Sequence, residues 1–311
     1  MIKVVQPQFT RIHYSAPSKE DISFIQKEYD FHELIIEDML ELSGENKVEY
    51  YEDENIVSLL INYPKYNTQS EKYIHNSCVI VVSEKYVLSV SKYSSKYIEK
   101  FATVAEQKNY LEWDYSTPTF DLVYDILDMM YEKSVKSLHK SSQEVLSLQD
   151  TVETHHSIEK ELLEDLMSKK INMIVLQHIF RPQRQILNEL KVALKKILPA
   201  DREQMEDIRL YVEDLDSKLD KILDNISLNY ESLKSLAETY RSLIDLQTNK
   251  TITRLTFVTV ATGMLAVVAW FFGMNVPIPG SNTVWSFWII VSISLGLIGI
   301  GYVILKRRKR L

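Results

Sequence analysis

The hydrophobic positions of this chain change their period along its length. Between residues 47 and 91 they come as short β-rich runs at 47–51, 56–63, 78–83 and 86–91. Polar turns such as EDEN and SEK separate the runs, a pattern that predicts antiparallel hairpins. Helical patterns flank them. Ser18 and Asp21 have the spacing of a capping box, and FHELIIEDMLEL from Phe31 repeats apolar side chains at i, i+3 and i+4. After Pro118 the pattern is helical, with breaks expected at Pro182 and Pro199. Residues 201–272 contain no proline and a single glycine, Gly263, so one helix on the order of 100 Å long is expected there. Within it Leu215, Leu219, Ile222, Ile226, Asn229, Leu233, Leu236, Tyr240 and Leu243 alternate steps of four and three, which is a heptad seam. So long a helix needs neighbours, and the seam serves equally for other helices of this chain or for copies of itself.

Two stretches, 255–272 and 285–305, are 18 and 21 residues long and carry no charge. Each can cross a hydrocarbon core of about 30 Å at about 1.5 Å per residue. Trp285, Trp288 and the basic KRRKR at 306–310 read as interface anchors in contact with lipid. The positive-inside rule puts the basic end in the cytosol, and two spans return the N-terminal region to the same side. The expected protein is therefore a two-span membrane protein with both termini cytosolic. Its organisation is an α+β N-terminal domain at 1–117, a helical region at 118–200 and a stalk helix at 201–254. The first span follows at 255–272, an outward-facing loop at 273–284, the second span at 285–305 and a basic tail at 306–311.

Composition narrows the chemistry. Of seven glycines only Gly44 precedes Gly263, which leaves no Walker loop and no dinucleotide fingerprint. The net charge is −7 although residues 306–310 contribute five positive charges, so the soluble part is strongly acidic. Such a surface attracts cations and argues against a nucleic-acid partner. Cys78 is the lone cysteine, which excludes an intrachain disulfide and a cysteine-based zinc site and fits a reducing compartment. The first residues lack an apolar h-region, so they are not a signal peptide. His155 and His156 beside Glu153 and Glu159 read as a solvated surface, because adjacent positions on a helix point to different faces. No nucleophile and base stand in a catalytic arrangement, and the chain is not expected to be an enzyme.

The phase of the seam continues into the first span through Asn249, Ile252, Thr256, Thr259, Gly263 and Ala266, a face that is polar or small. Such a face serves close helix packing, or it lines a water-filled path if several copies surround an axis. The span has no carboxylate, and Mg²⁺ gives up its water reluctantly, so neutral oxygens that accept hydrogen bonds from a hydrated ion suit this path.

At the end of the span stand Phe272, Gly273, Met274 and Asn275. This stretch resembles the GMN signature of the CorA magnesium transporter family, and it has the family's placement: at the end of the first of two C-terminal spans, after a long helix, with a basic tail behind the second. HELIIEDMLEL, KVEYYEDENIVSLLINYP and YRSLIDLQTNKTITRLT extend the resemblance over nearly the whole chain. The resemblance implies a homopentamer with a funnel of cytosolic domains, and Mg²⁺ as substrate with Co²⁺ and Ni²⁺ also carried. Gly273, Met274 and Asn275 would form the outer selectivity ring. Asn249, Ile252 and Leu255 would match the inner constriction, closed by dewetting. Asp214 would be one of the acids at which Mg²⁺ between subunits holds the channel closed. The run 201–224, with nine acids against four basic residues, is compatible with such a sensor. The sequence departs from the family pattern at Phe272 in place of the usual tyrosine, at Met264 or its neighbours where a mid-span proline is common, and at Ala266 where some relatives carry threonine. Trp270 falls where a small residue is expected, and the outer loop has no acidic residue. Two other readings are compatible with these residues: a Zn²⁺ transporter of the ZntB branch, and a membrane-tethered coiled-coil scaffold or sensor without a pore.

Overall fold

The computed structural model describes residues 2–5, 10–93, 118–154, 160–197 and 202–273, and beyond them 285, 288–289, 291–292, 294–296 and 298–299. The chain divides into two compact units, Met1–Ala237 and Glu238–Leu311.

The first unit is built on a mixed six-stranded sheet of β1 (Ile2–Val5), β2 (Thr10–Ser15), β3 (Lys47–Tyr51), β4 (Ile56–Asn67), β5 (Lys72–Val82) and β6 (Tyr86–Ser91). The spatial order is β1-β2-β6-β5-β4-β3. β2 runs parallel to β6, with Ile12 opposite Leu88, and every other pair is antiparallel. Side chains alternate faces along a strand, so β4 buries Ile56 and Leu60 on one side and Val57, Leu59 and Ile61 on the other. A strand covered on both faces reads as a continuous apolar run, as 56–61 does apart from Ser58.

One face is covered by α1 (Lys19–Tyr29) and α2 (Glu33–Glu41), whose Ile22, Ile25, Ile35 and Met39 meet Leu60, Val79, Val81 and Val90. The expected capping box is present: Ser18 Oγ accepts from the Asp21 backbone N–H at 3.1 Å, and Asp21 accepts from the Ser18 backbone N–H at 2.8 Å. The other face is covered by helices from the second half of the unit: α3 (Pro118–Thr154), α4 (Lys160–Phe180), α5 (Gln183–Ile197) and α6 (Arg202–Gly273). Phe120, Ile126, Met173, Ile179, Leu187 and Leu219 join the strands in one continuous core. Pro182 separates α4 from α5 as expected, since its ring cannot continue a helix; Pro199 lies outside the described residues. Asn172 of α4 ties the hairpin tip to the helical layer, donating to the Glu71 carbonyl at 2.9 Å and accepting from the Tyr73 backbone N–H at 3.0 Å.

The α6 helix is 72 residues long without a break. Its seam is settled in favour of the chain's own helices: Leu215, Leu219, Ile222, Ile226, Asn229, Leu233 and Leu236 are all buried within a single chain. Beyond Tyr240 the helix emerges, and Leu243 and Leu246 are exposed. The second unit contains the rest of α6, which includes a window apolar enough to cross a membrane, none of it buried by the chain. Among the described residues it is the one helix that meets that test. The second expected span, 285–305, lies partly outside the described residues, and its ten described positions are helical.

Candidate ion pathway and acid network

Every residue expected to line a pathway on the first span is exposed in the single chain: Asn249, Ile252, Leu255, Thr256, Thr259, Gly263 and Ala266. At about 100° per residue they share one side of α6, and Trp270 stands about five turns beyond Ile252 on that same side. Apart from its chain neighbours and the backbone of its own helix, a Cβ added to Gly263 or Gly273 would meet no atom of the described residues within 4 Å. The described part of α6 reaches Gly273; Met274 and Asn275 lie outside the described residues.

The threonines have a defined polarity. Thr256 donates to the Ile252 carbonyl at 2.8 Å and Thr259 to the Leu255 carbonyl at 2.9 Å. A hydroxyl whose proton is committed to its own helix turns lone pairs outward, so these oxygens act as acceptors. Acceptors suit the water shell of a cation, whose protons point away from the ion. They do not suit the shell of an anion. No carboxylate or amine interrupts 255–273.

A second cluster lies where α3 packs beside the N-terminal part of α6. Tyr124 Oη donates to Asp214 Oδ2 at 2.8 Å, and Lys218 Nζ stands 2.8 Å from the same oxygen. Lys218 also contacts Asp128. Burial pushes the Asp214 carboxyl up, but the bonds from Lys218 and Tyr124 outweigh it and leave the carboxyl below its usual range. Asp125, half-buried one turn from Asp121, is displaced the other way: burial and then the charge of Asp128 raise it to about 6, against an opposing pull from Arg11. Among the described residues no three His, Cys, Asp or Glu side chains gather as a metal site, and His155 and His156 fall outside them.

Sequence reasoning singled out Asp214 and missed its partners Tyr124, Asp128 and Lys218. The available signal was the spacing of Asp121, Asp125 and Asp128, which at i, i+4 and i+7 share one face of α3. A carboxyl whose folded pKa lies above its unfolded value costs stability once ionised; the cost is absent below about pH 4, grows towards pH 6 and is complete above it. Asp125→Asn is therefore expected to stabilise the full chain at pH 7.5 by about 1 kcal/mol after solvent screening, with the gain vanishing near pH 4. Thermal unfolding of the detergent-solubilised protein across that range measures it; a gain that persists at pH 4 would contradict this account.

Comparison with known proteins finds relatives over most of the chain. Residues 7–307 match the sequence family described as CorA-like Mg²⁺ transporter protein. The chain is 22% identical over 284 residues to the cobalt/magnesium transport protein CorA of Thermotoga maritima, covering 91% of this chain and 77% of that one. It is 25% identical over 266 residues to the magnesium transport protein CorA of Wolinella succinogenes, covering 83% and 77%. Its fold is similar to the complete CorA magnesium transporter of Methanocaldococcus jannaschii, with a TM-score of 0.77 at 21% identity over 96% of this chain and 90% of that one.

Proposed function

The chain belongs to the CorA-like Mg²⁺ transporter family, membrane transporters of divalent cations rather than enzymes, and on that premise we propose that it is a homopentameric channel admitting Mg²⁺ to the cytosol. Co²⁺ and Ni²⁺ share the path. The observation that carries this reading is the exposed stripe on α6: a face of neutral acceptor oxygens and small residues, free of carboxylate, that no other described residue covers. Five such faces around an axis enclose a path in which a cation keeps its water. Gly273, Met274 and Asn275 form the outer ring, and Ile252 and Leu255 form an apolar constriction at the cytosolic end. The second span at 285–305 packs outside this ring, with both chain termini in the cytosol.

Closure is assigned to cytosolic Mg²⁺ between subunits. Asp214 fits one ligand of such an ion: its side chain is 44% exposed, and among the described residues no hydrogen bond reaches its Oδ1. A single carboxylate holds no divalent ion, so further ligands come from a second copy. An ion bound in the closed assembly alone favours that assembly, and its loss releases the pore.

Flux into proteoliposomes loaded with an indicator, run with Mg²⁺, Co²⁺, Ni²⁺ and Zn²⁺ in turn, tests the proposal. Uptake of Mg²⁺, Co²⁺ and Ni²⁺ down their gradients is expected. Preference for Zn²⁺ would reassign the substrate, and absence of flux for all four would leave a scaffold without a pore.

A further inference from the structure

The carboxylates that α3 and α6 bring together already share a cation. Lys218 Nζ lies between Asp214 and Asp128, and the Tyr124 ring sits 6.0 Å from the same amine. The side chains of Lys218 and Asp128 are largely buried, whereas that of Asp214 is half-exposed, so this arrangement is closed on the α3 side and open on the Asp214 side. Burial pulls the Lys218 amine down, but its hydrogen bonds to Asp128 and Asp214 outweigh that and raise it above its usual value. The amine therefore stays charged throughout the physiological range.

Two cations cannot both occupy the near side of Asp214 without repelling each other. At about 4 Å, like charges near a protein surface repel strongly enough to change an affinity by an order of magnitude. Asp128 gives the ammonium a second seat, so it can withdraw without being left unpaired. We propose that Lys218 is a tethered competitor for Asp214 and sets the divalent-cation concentration at which Asp214 is engaged. This inference rests on the reading of Asp214 as a regulatory ligand and names what tunes it. A clasp that merely joined two helices would have no such effect on an ion's threshold.

Competition and a plain clasp differ in sign. Lys218→Met removes the competitor and should favour the ion. Asp128→Asn removes the second seat, so the ammonium leans on Asp214 alone and should oppose the ion. If Lys218 only joined the helices, both substitutions would loosen the same contact and act in the same direction.

The test is limited proteolysis of the full-length protein in lipid nanodiscs, titrated with MgCl₂, reading the Mg²⁺ concentration at half-protection. Lys218→Met is expected to lower that midpoint about tenfold. Asp128→Asn should raise it, Lys218→Arg should leave it near wild type, and Asp214→Asn should abolish the Mg²⁺-dependent protection. An unmoved midpoint in Lys218→Met, or a shift of the same sign in both Lys218→Met and Asp128→Asn, overturns the competition while leaving the reading of Asp214 intact. Protection unchanged by Asp214→Asn overturns both. Should Lys218→Met fail to assemble, Asp128→Asn decides alone, since a midpoint that does not rise refutes the competitor.

Discussion

Replacing Asn275 with alanine is expected to abolish divalent-cation uptake into proteoliposomes while leaving the protein folded, inserted and assembled. The carboxamide is the sole side chain of the outer tripeptide that carries an oxygen dipole, and the linker behind it, 273–284, has no acidic residue. In the proposed pathway, capture of an ion at the outer mouth would therefore fall to amide and backbone oxygens that accept hydrogen bonds from its water shell. Each such bond contributes about 1 kcal/mol, so removing one per subunit from a ring of five lowers entry by about a hundredfold or more. Assembly should survive, because among the described residues the two hydrophobic core clusters lie within the first unit, the last of their members being Leu236. Uptake by the Asn275→Ala protein at the wild-type rate, with equal protein inserted, would remove the residue from the pathway. Asn275→Gln keeps the dipole on a longer stem and should retain measurable flux.

The sequence carried these two sites unequally, and the physical reasons differ from element to element. The α6 helix was legible because seventy residues without proline leave the backbone little alternative, and its observed bounds, Arg202–Gly273, lie close to the expected ones. The short strands β3 and β6 were legible from their runs of apolar and β-branched residues. β4 and β5 extend well past their apolar segments, to Asn67 and back to Lys72, because the hairpin continues through a polar tip held by Asn172. That anchor is about a hundred positions away in sequence, where no local pattern can reveal it. β1 and β2 went unread for a similar reason: β2 completes the sheet by pairing in parallel with β6, a partner more than seventy residues later.

The seam on α6 marks a different limit. Threes and fours specify that a stripe is covered and leave open what covers it. The tertiary core supplies the answer for 215–236, and the same periodicity beyond Tyr240 continues onto a surface that the chain leaves bare. The change from covered to bare occurs without any change of spacing. It coincides with a change of content, from mostly Leu and Ile to Asn, Thr, Gly and Ala beside Ile252 and Leu255, and the proposed pathway rests on that content. Asp214 was reachable only through resemblance to a family, since nothing in the run of nine acids distinguishes it from its neighbours. Its distinction in the fold is its pairing with Tyr124 and Lys218.

Opening the inner constriction should have the opposite effect from Asn275→Ala. In the double variant Ile252→Ser, Leu255→Ser, uptake is expected to continue at cytosolic Mg²⁺ concentrations that silence the wild type. Ile252 and Leu255 expose 53% and 62% of their surface in the single chain, and both lie on the acceptor stripe, where five copies would bring ten apolar side chains to one level. A constriction of that kind resists wetting without any physical plug, and hydroxyls at the same positions give water the partners it lacks. The expected signature is residual flux at closing Mg²⁺ raised by about tenfold or more, with unchanged protein insertion. Val258 supplies the control. It is as exposed as the gate residues, at 59%, but is turned about 120° from Ile252 around the helix. Val258→Ser should leave closure intact if the stripe faces the axis. Leak in Val258→Ser equal to that of the double variant would mean that the helix presents a different face, and the assignment of Ile252 and Leu255 as the gate would fall with it.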